Sequence, residues 1–175
     1  MKKTAIAIIV VMLLTAAGCK KQEDPTPHVL IQVAAMQGNI DEIRKHIEAG
    51  SDLNEIDAYG STPLIIAITF GKAEVAKALI EAGADMTITN NEGSAPLHIA
   101  AFFCRTEIVE ALLENGADKD FVNTAGRTAL DTVEGPFEEV KAIYDAIRKG
   151  LEPLGLRLDY DRIKSTRPKI AEMLR

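Results

Sequence analysis

Apolar residues recur along the middle of the chain in short groups that have helical spacing. Leu64, Ala67 and Ile68 follow the i, i+3, i+4 pattern that marks one face of a helix. Beyond Gly71, which allows the chain to turn, a second group has the same kind of spacing and consists of Val75, Ala76, Leu79 and Ile80. The pattern therefore predicts pairs of short amphipathic helices joined by tight turns.

These helix pairs recur at a fixed interval. Gly60, Gly93 and Gly126 are 33 residues apart, and the same period separates a second set, Gly50, Gly83 and Gly116. A period of this length is typical of stacked repeats, in which each helix pair can bury its apolar faces only against its neighbours. Thr62 and Pro63 predict a helix start, because a hydroxyl cap precedes a proline at the first helical position.

Two complete units, DAYGSTPLIIAITFGKAEVAKALIEAGAD and NNEGSAPLHIAAFFCRTEIVEALLENGAD, resemble the ankyrin repeat. Both have its glycine turn, the Thr-Pro-Leu-His segment or a close variant, a short helix, and a second helix that leads into Gly-Ala-Asp. Partial units before and after them, AAMQGNIDEIRKHIEAGSDLN and NTAGRTALDTVEGP, extend the resemblance over about residues 30–132. It implies an all-α solenoid of about four helix-turn-helix units joined by β-hairpin-like loops, which we assign to residues 28–150.

The fourth unit departs from the pattern. Thr128 is expected to cap a helix, with Asp131 completing a capping box. A longer helix is predicted over residues 137–149 and a final helix over residues 167–174, where Ile170, Met173 and Leu174 are apolar. Because the outer face of a terminal repeat meets water, we interpret residues 151–175 as an atypical C-terminal capping segment.

The N-terminus has the features of a targeting segment. Two lysines precede an unbroken apolar run at residues 5–14, which is shorter than the about 20 residues that a transmembrane helix needs. Small residues at positions 15–18 then precede Cys19, an order that resembles the lipobox of bacterial lipoproteins, although Ala16 replaces the usual leucine. The resemblance implies a signal peptide at residues 1–18 and a lipid anchor on Cys19. An ordinary secretory signal is the alternative.

Residues 19–27 are polar and contain two prolines, so we interpret them as an extended tether. The eight residues that follow Cys19, residues 20–27, reach at most roughly 30 Å when extended, which predicts a domain and a partner close to the membrane. The expected location is the cell envelope, with the domain in the periplasm. Lys20 after the cysteine resembles the enteric pattern for the outer membrane.

The sequence contains no arrangement typical of catalysis. The net charge of −6 argues against a nucleic-acid partner, and the three histidines have no metal-ligand spacing. We expect no catalytic residue, no metal and no cofactor. In ankyrin repeats a histidine at the position of His98 commonly forms a hydrogen bond across the repeat boundary. Cys104 stands where the two preceding repeats have Gly71 and Gly38, and is either a small buried thiol or a redox-sensing one.

Ankyrin repeats bind proteins through their hairpin tips and their concave helix face. Alignment of the repeats therefore gives a candidate protein-binding groove consisting of Met36, Tyr59, Thr69, Phe70, Asn91, Glu92, Phe102, Phe103 and Arg127. Aromatic residues are the preferred anchors of such interfaces. For Phe102 and Phe103 the alternative is a core position beneath the adjoining hairpin.

The resemblance as a whole implies a monomeric, non-catalytic protein–protein interaction module, anchored in the bacterial cell envelope, with an unidentified protein partner. One alternative is an immunity or inhibitor protein that neutralises a periplasmic toxin or enzyme. Another is a protein that protects an oxidative-stress enzyme.

Overall fold

Eight α-helices and two short 3₁₀ turns make up the part of the computed structural model that is described, residues 26–175. The predicted signal peptide, Cys19 and most of the predicted tether lie outside the described residues. The helices are α1 (Ile31–Gln37), α2 (Ile40–Glu48), α3 (Pro63–Thr69), α4 (Ala73–Glu81), α5 (Pro96–Phe102), α6 (Thr106–Glu114), α7 (Phe137–Leu151) and α8 (Tyr160–Leu174). Residues 26–175 contain no β-strand.

The helices form two layers. Helices α1, α3 and α5 stack side by side in the first layer, and the 3₁₀ turn Leu130–Thr132 continues it. Helices α2, α4, α6 and α8 form the second layer. The core lies between the layers and consists mainly of aliphatic side chains, among them Ile43, Leu64, Ile68, Leu79, Leu97 and Leu112. The predicted all-α repeat fold is confirmed.

Local chemistry explains where the short helices begin and end. The Thr62 hydroxyl accepts a hydrogen bond from the Ile65 amide at 3.3 Å, and Pro63 is the first residue of α3, as predicted. Gly71 follows α3 with a φ of 67°, a conformation that costs glycine little. Cys104 has the equivalent place after α5 and a φ of 52°, which makes it the one non-glycine residue with positive φ in residues 26–175.

In the fourth unit, the short 3₁₀ turn Leu130–Thr132 occupies the first-layer position that an α-helix has in the other repeats. The predicted capping box is present, since Asp131 accepts hydrogen bonds from the Thr128 amide and hydroxyl, and its own amide donates to the Thr128 hydroxyl. Only the 3₁₀ turn follows it, so the prediction of a helix here is wrong. The long helix predicted at residues 137–149 is present as α7, in which Tyr144 is buried and Ile143 is exposed.

The last helix begins earlier than the sequence suggested. The Asp159 carboxylate accepts a hydrogen bond from the Arg162 amide at 3.0 Å and thereby caps a helix that starts at Tyr160. Pro168 lies within this helix, so the prediction of a helix confined to residues 167–174 is too short. Ile170 and Leu174 are buried as expected, and Met173 packs partly against the core.

Helix α7 is an insertion within the fourth unit. Residues 70–72 are enough to connect the two helices of the second repeat, whereas residues 133–159 connect the 3₁₀ turn to α8. Helix α8 still packs against α6, as α6 packs against α4. It therefore occupies the second-layer place of the fourth repeat, and the boundary predicted after residue 150 falls in the last turn of α7.

Candidate protein-binding surface

The loops that join successive repeats share one hydrogen-bonding pattern. A side-chain oxygen at the start of each loop accepts hydrogen bonds from the backbone amides two and four residues later. In the first loop Asp57 accepts from the amides of Tyr59 and Ser61. In the second, Asn90 accepts from those of Glu92 and Ser94, and in the third, Asn123 accepts from those of Ala125 and Arg127. This pattern fixes each loop in a hairpin-like shape although none of them contains a strand.

Adjacent loops also contact one another. The Thr124 hydroxyl donates to the Glu92 carbonyl at 2.7 Å, and the Asn91 side chain lies over Gly60. A Cβ atom at Gly60 would lie 2.3 Å from the Asn91 Oδ1 atom, so this contact requires glycine. The loop tips therefore form a continuous, well-ordered edge, which we call the loop edge: residues 55–60, 88–93 and 121–127.

Apolar side chains project from the loop edge into solvent. Tyr59 is 78% exposed and Ile56 is 54% exposed, and Val122 is also exposed. Large apolar groups on a protein surface commonly mark an interaction site when they cluster. Sequence reasoning predicted Tyr59 but missed Ile56 and Val122, which occupy the same position two repeats apart. The 33-residue alignment that paired the other groove residues would have found them.

The remaining residues predicted at the loop tips and on the first layer are accessible to different degrees. Asn91, Glu92 and Arg127 are exposed on the loop edge. Met36, Thr69 and Phe70 are half-buried at the ends of α1 and α3. Their assignment to a binding surface stays a prediction.

The two helix layers differ in charge. The three first-layer helices α1, α3 and α5 contain no charged residue, whereas α2, α4 and α6 of the second layer all carry several.

Phe102 and Phe103 are covered by the inserted helix. Tyr144 of α7 stacks on Phe102, with ring centroids 4.3 Å apart and an angle of 18°, and its hydroxyl donates to the Phe102 carbonyl. Phe103 is 4% exposed and meets the same tyrosine at 6.5 Å. This corrects the assignment of Phe103 to an open groove and favours the alternative of a core position. The covering element is α7, however, rather than the adjoining hairpin.

His98 connects the third repeat to the following loop. Its Nε2 atom donates a hydrogen bond to the Arg127 carbonyl at 2.9 Å, so the predicted contact across the repeat boundary is confirmed. Its Nδ1 atom is buried and has no hydrogen-bond partner within residues 26–175. Burial lowers the pKa of His98, although the nearby backbone of Arg127 and Phe121 and the charge of Asp131 act in the opposite direction. The imidazole is therefore neutral at neutral pH.

This environment predicts a stability loss on mild acidification. A histidine with a lowered pKa in the folded state contributes stability that is fully present above the unfolded-state pKa of about 6.5 and is lost as pH falls below it. At pH 5.5 the loss is at most about 1–2 kcal/mol. We expect His98→Ile, which copies the buried Ile65 of the preceding repeat, to reduce this loss. Urea denaturation at pH 7.5 and pH 5.5 measures it, and equal losses in both proteins would contradict the assignment.

Cys104 is enclosed where the third and fourth repeats meet. Its thiol donates a long hydrogen bond to the Ile163 carbonyl, with 3.6 Å between Sγ and the oxygen. Burial raises the pKa of this thiol to about 11, despite three nearby arginines that act against the shift. Because the thiolate is the reactive species, this geometry favours the buried structural thiol over the redox-sensing one.

Basic side chains cap the carbonyl ends of the first layer. Arg105 donates to the carbonyls of Ile68 and Thr69, at 3.3 and 3.0 Å, and Arg162 donates to the Cys104 carbonyl at 3.0 Å. Cations are favourable at helix C-termini, where carbonyl groups lack intrahelical partners. Burial lowers the pKa of Arg105 to about 10, so its guanidinium remains charged at neutral pH. These contacts join the third repeat to the second and the fourth repeat to the third.

Neither metal binding nor membrane crossing has a structural basis within residues 26–175. Residues 26–175 contain no cluster of three or more histidine, cysteine, aspartate or glutamate residues that could hold a metal ion. In the same part of the chain, every helix is too short or too polar to cross a membrane. The described residues form a stacked helical scaffold with exposed apolar side chains on its loop edge.

Stacked helix pairs joined by ordered loops define a repeat protein of the binding-scaffold class. A family model described as ankyrin repeats (3 copies) matches residues 8–90 and also residues 30–123, which together are more than half of the chain. The chain belongs to the ankyrin-repeat family. Ankyrin repeats are in general protein–protein interaction modules and are typically non-catalytic. A search of curated proteins found no match to this sequence.

Proposed function

We propose that this chain is a non-catalytic interaction module of the bacterial cell envelope, anchored to a membrane through Cys19. It binds a protein partner along the loop edge and at the C-terminal ends of α1 and α3. The observation that carries this proposal is the exposed apolar set Ile56, Tyr59 and Val122, held on ordered loops beside a charge-free helix layer. Ordered loops favour affinity, because little conformational entropy is lost when they bind.

The anchor determines where such a partner is found. The lipobox-like segment before Cys19 supports lipid modification, and the short polar tether keeps the scaffold within roughly 30 Å of the membrane. A partner captured by this chain is then a membrane protein or a protein held near the same surface.

The loop edge can be tested with a matched pair of variants. We expect Ile56→Arg with Tyr59→Arg to abolish capture of the partner by crosslinking in intact cells, because both changes replace an exposed apolar contact with a charge. Leu154→Arg is the control, since Leu154 is also 54% exposed but lies between α7 and α8, away from the loop edge. Melting curves must be unchanged in both. Undiminished capture by the double variant would contradict the proposed surface.

The anchor has a separate test. We expect Cys19→Ser to move the protein from the membrane fraction to the soluble periplasmic fraction, because several acyl chains are needed for firm attachment and the variant carries none. Immunoblots of fractionated cells measure the distribution. Unchanged membrane retention would overturn the lipoprotein assignment while leaving the loop edge untouched.

A further inference from the structure

We propose that the surface centred on Phe70 binds an amphipathic helix of the partner protein, with an aromatic residue on its apolar face and acidic residues at its margin. This inference rests on the proposed function and adds the chemistry of the partner. The surface, which we call the Phe70 surface, consists of Phe70 with Met36, Thr69, Lys72 and Arg105.

The chain itself contains a covered version of this surface. Phe70 and Phe103 occupy the same position in adjacent repeats, and both are C-cap residues of a first-layer helix with closely similar backbone angles. Phe103 is buried and meets the edge of the Tyr144 ring at 6.5 Å, whereas Phe70 is half-buried and has no aromatic ring in contact within residues 26–175. In the third repeat α7 therefore covers the position of Phe103, whereas in the second repeat the equivalent position of Phe70 is open.

The occupant of the covered position indicates which chemistry fits. Helix α7 turns Phe137 and Tyr144 towards the stack, with their rings 5.6 Å apart. Its first turn is acidic, and Glu138 forms an ion pair with Lys164 of α8 at 3.2 Å. An amphipathic helix with an aromatic residue and an acidic margin is thus the type of segment that this scaffold accepts at the end of a first-layer helix.

The charges around Phe70 favour the same class of segment. The Lys72 side chain lies over Gly38, and the Arg105 guanidinium lies over Gly71, directly beside Phe70. Within residues 26–175 neither cation forms an ion pair with a carboxylate, although the protein carries a net charge of −6. The Arg105 guanidinium already donates to the Ile68 and Thr69 carbonyls, so Lys72 is the cation that complements a helix with its own carboxylates.

The helix α7 sequence supplies the probe. We expect a fluorescently labelled peptide of residues 136–151 to bind saturably to the complete mature protein in an anisotropy titration. Phe70→Ala should weaken this binding about tenfold or more, because an aromatic anchor contributes that much when it is fully covered. A peptide with Glu138→Lys and Glu139→Lys should bind more weakly, and so should the normal peptide to Lys72→Glu. Leu154→Ala is the matched control and should bind normally.

Two results would overturn the inference. One is the absence of saturable binding. The other is binding that Phe70→Ala leaves unchanged, which would mean that the peptide exchanges with α7 at Phe103 instead. Melting curves of Phe70→Ala guard against loss of fold, since the side chain is half-buried and its truncation should lower the melting temperature by only a few degrees.

The outcome is separable from that of the proposed function. If cells expressing Phe70→Ala still capture the partner while the Ile56→Arg and Tyr59→Arg protein does not, the loop edge binds the partner and the Phe70 surface does not. If the unmodified protein captures no partner in cells, the proposed function is contradicted, regardless of the result of the peptide titration.

Discussion

Replacing Phe103 with alanine is expected to lower the free energy of unfolding by about 3–5 kcal/mol, as for other fully buried phenylalanines. Phe70→Ala, at the equivalent position one repeat earlier, should cost about 1 kcal/mol, since that side chain is only half-buried. The difference arises because α7 covers Phe103, where Phe102, Tyr144 and the Arg105 guanidinium surround the ring. Urea denaturation of the two variants at neutral pH measures both values.

Equal losses in the two variants would mean that α7 does not cover Phe103 in solution. Tyr144→Ala provides an independent check, because it removes the ring that stacks on Phe102 while leaving both phenylalanines in place. We expect its loss to approach that of Phe103→Ala.

Deleting residues 167–175 is expected to have an effect at least as large. The deletion removes the buried side chains of Arg167, Ile170 and Leu174 and uncovers the second-layer face of α6. Truncation of each buried aliphatic residue alone costs about 2–5 kcal/mol, and the total stability of a domain is only about 5–15 kcal/mol. The shortened protein should therefore melt well below the full chain or aggregate, as circular dichroism and light scattering would show.

A control for this deletion is available on the same helix. Lys164, Lys169 and Glu172 are exposed, so replacing all three with alanine should leave the melting temperature nearly unchanged. If the deletion also left it unchanged, α8 would not complete the second layer and would be an appendage of the stack.

The repeated part of the fold could be predicted from the sequence because its rules are local. Helical spacing, the Thr62 cap and the glycine after α3 each depend on residues within one turn of the chain. Their recurrence at 33 residues placed the helix pairs, and the contact between His98 and the Arg127 carbonyl followed from the family pattern. Sequence reasoning reached Tyr59 in the same way, and it could have reached Ile56.

The fourth unit could not be predicted to the same degree because long-range contacts determine it. Nothing near Phe102 in the sequence indicates that Tyr144 stacks on it, since the partner ring lies 42 residues away. The same contact decides whether Phe103 is open or buried, so the groove assignment could not be settled by alignment alone. The start of α8 was missed for a different reason, as its cap, Asp159, was overlooked among the polar residues that precede Pro168.

The inserted segment between the 3₁₀ turn and α8 also bears on how the stack assembles. In the first three repeats, the two helices that pack together are separated by a few residues, so they can pair as soon as they form. In the fourth, residues 133–159 must be spanned before α8 reaches α6, and closing a longer loop costs more entropy. We therefore expect the C-terminal repeat to be the last unit to dock, with the preceding repeats as its template.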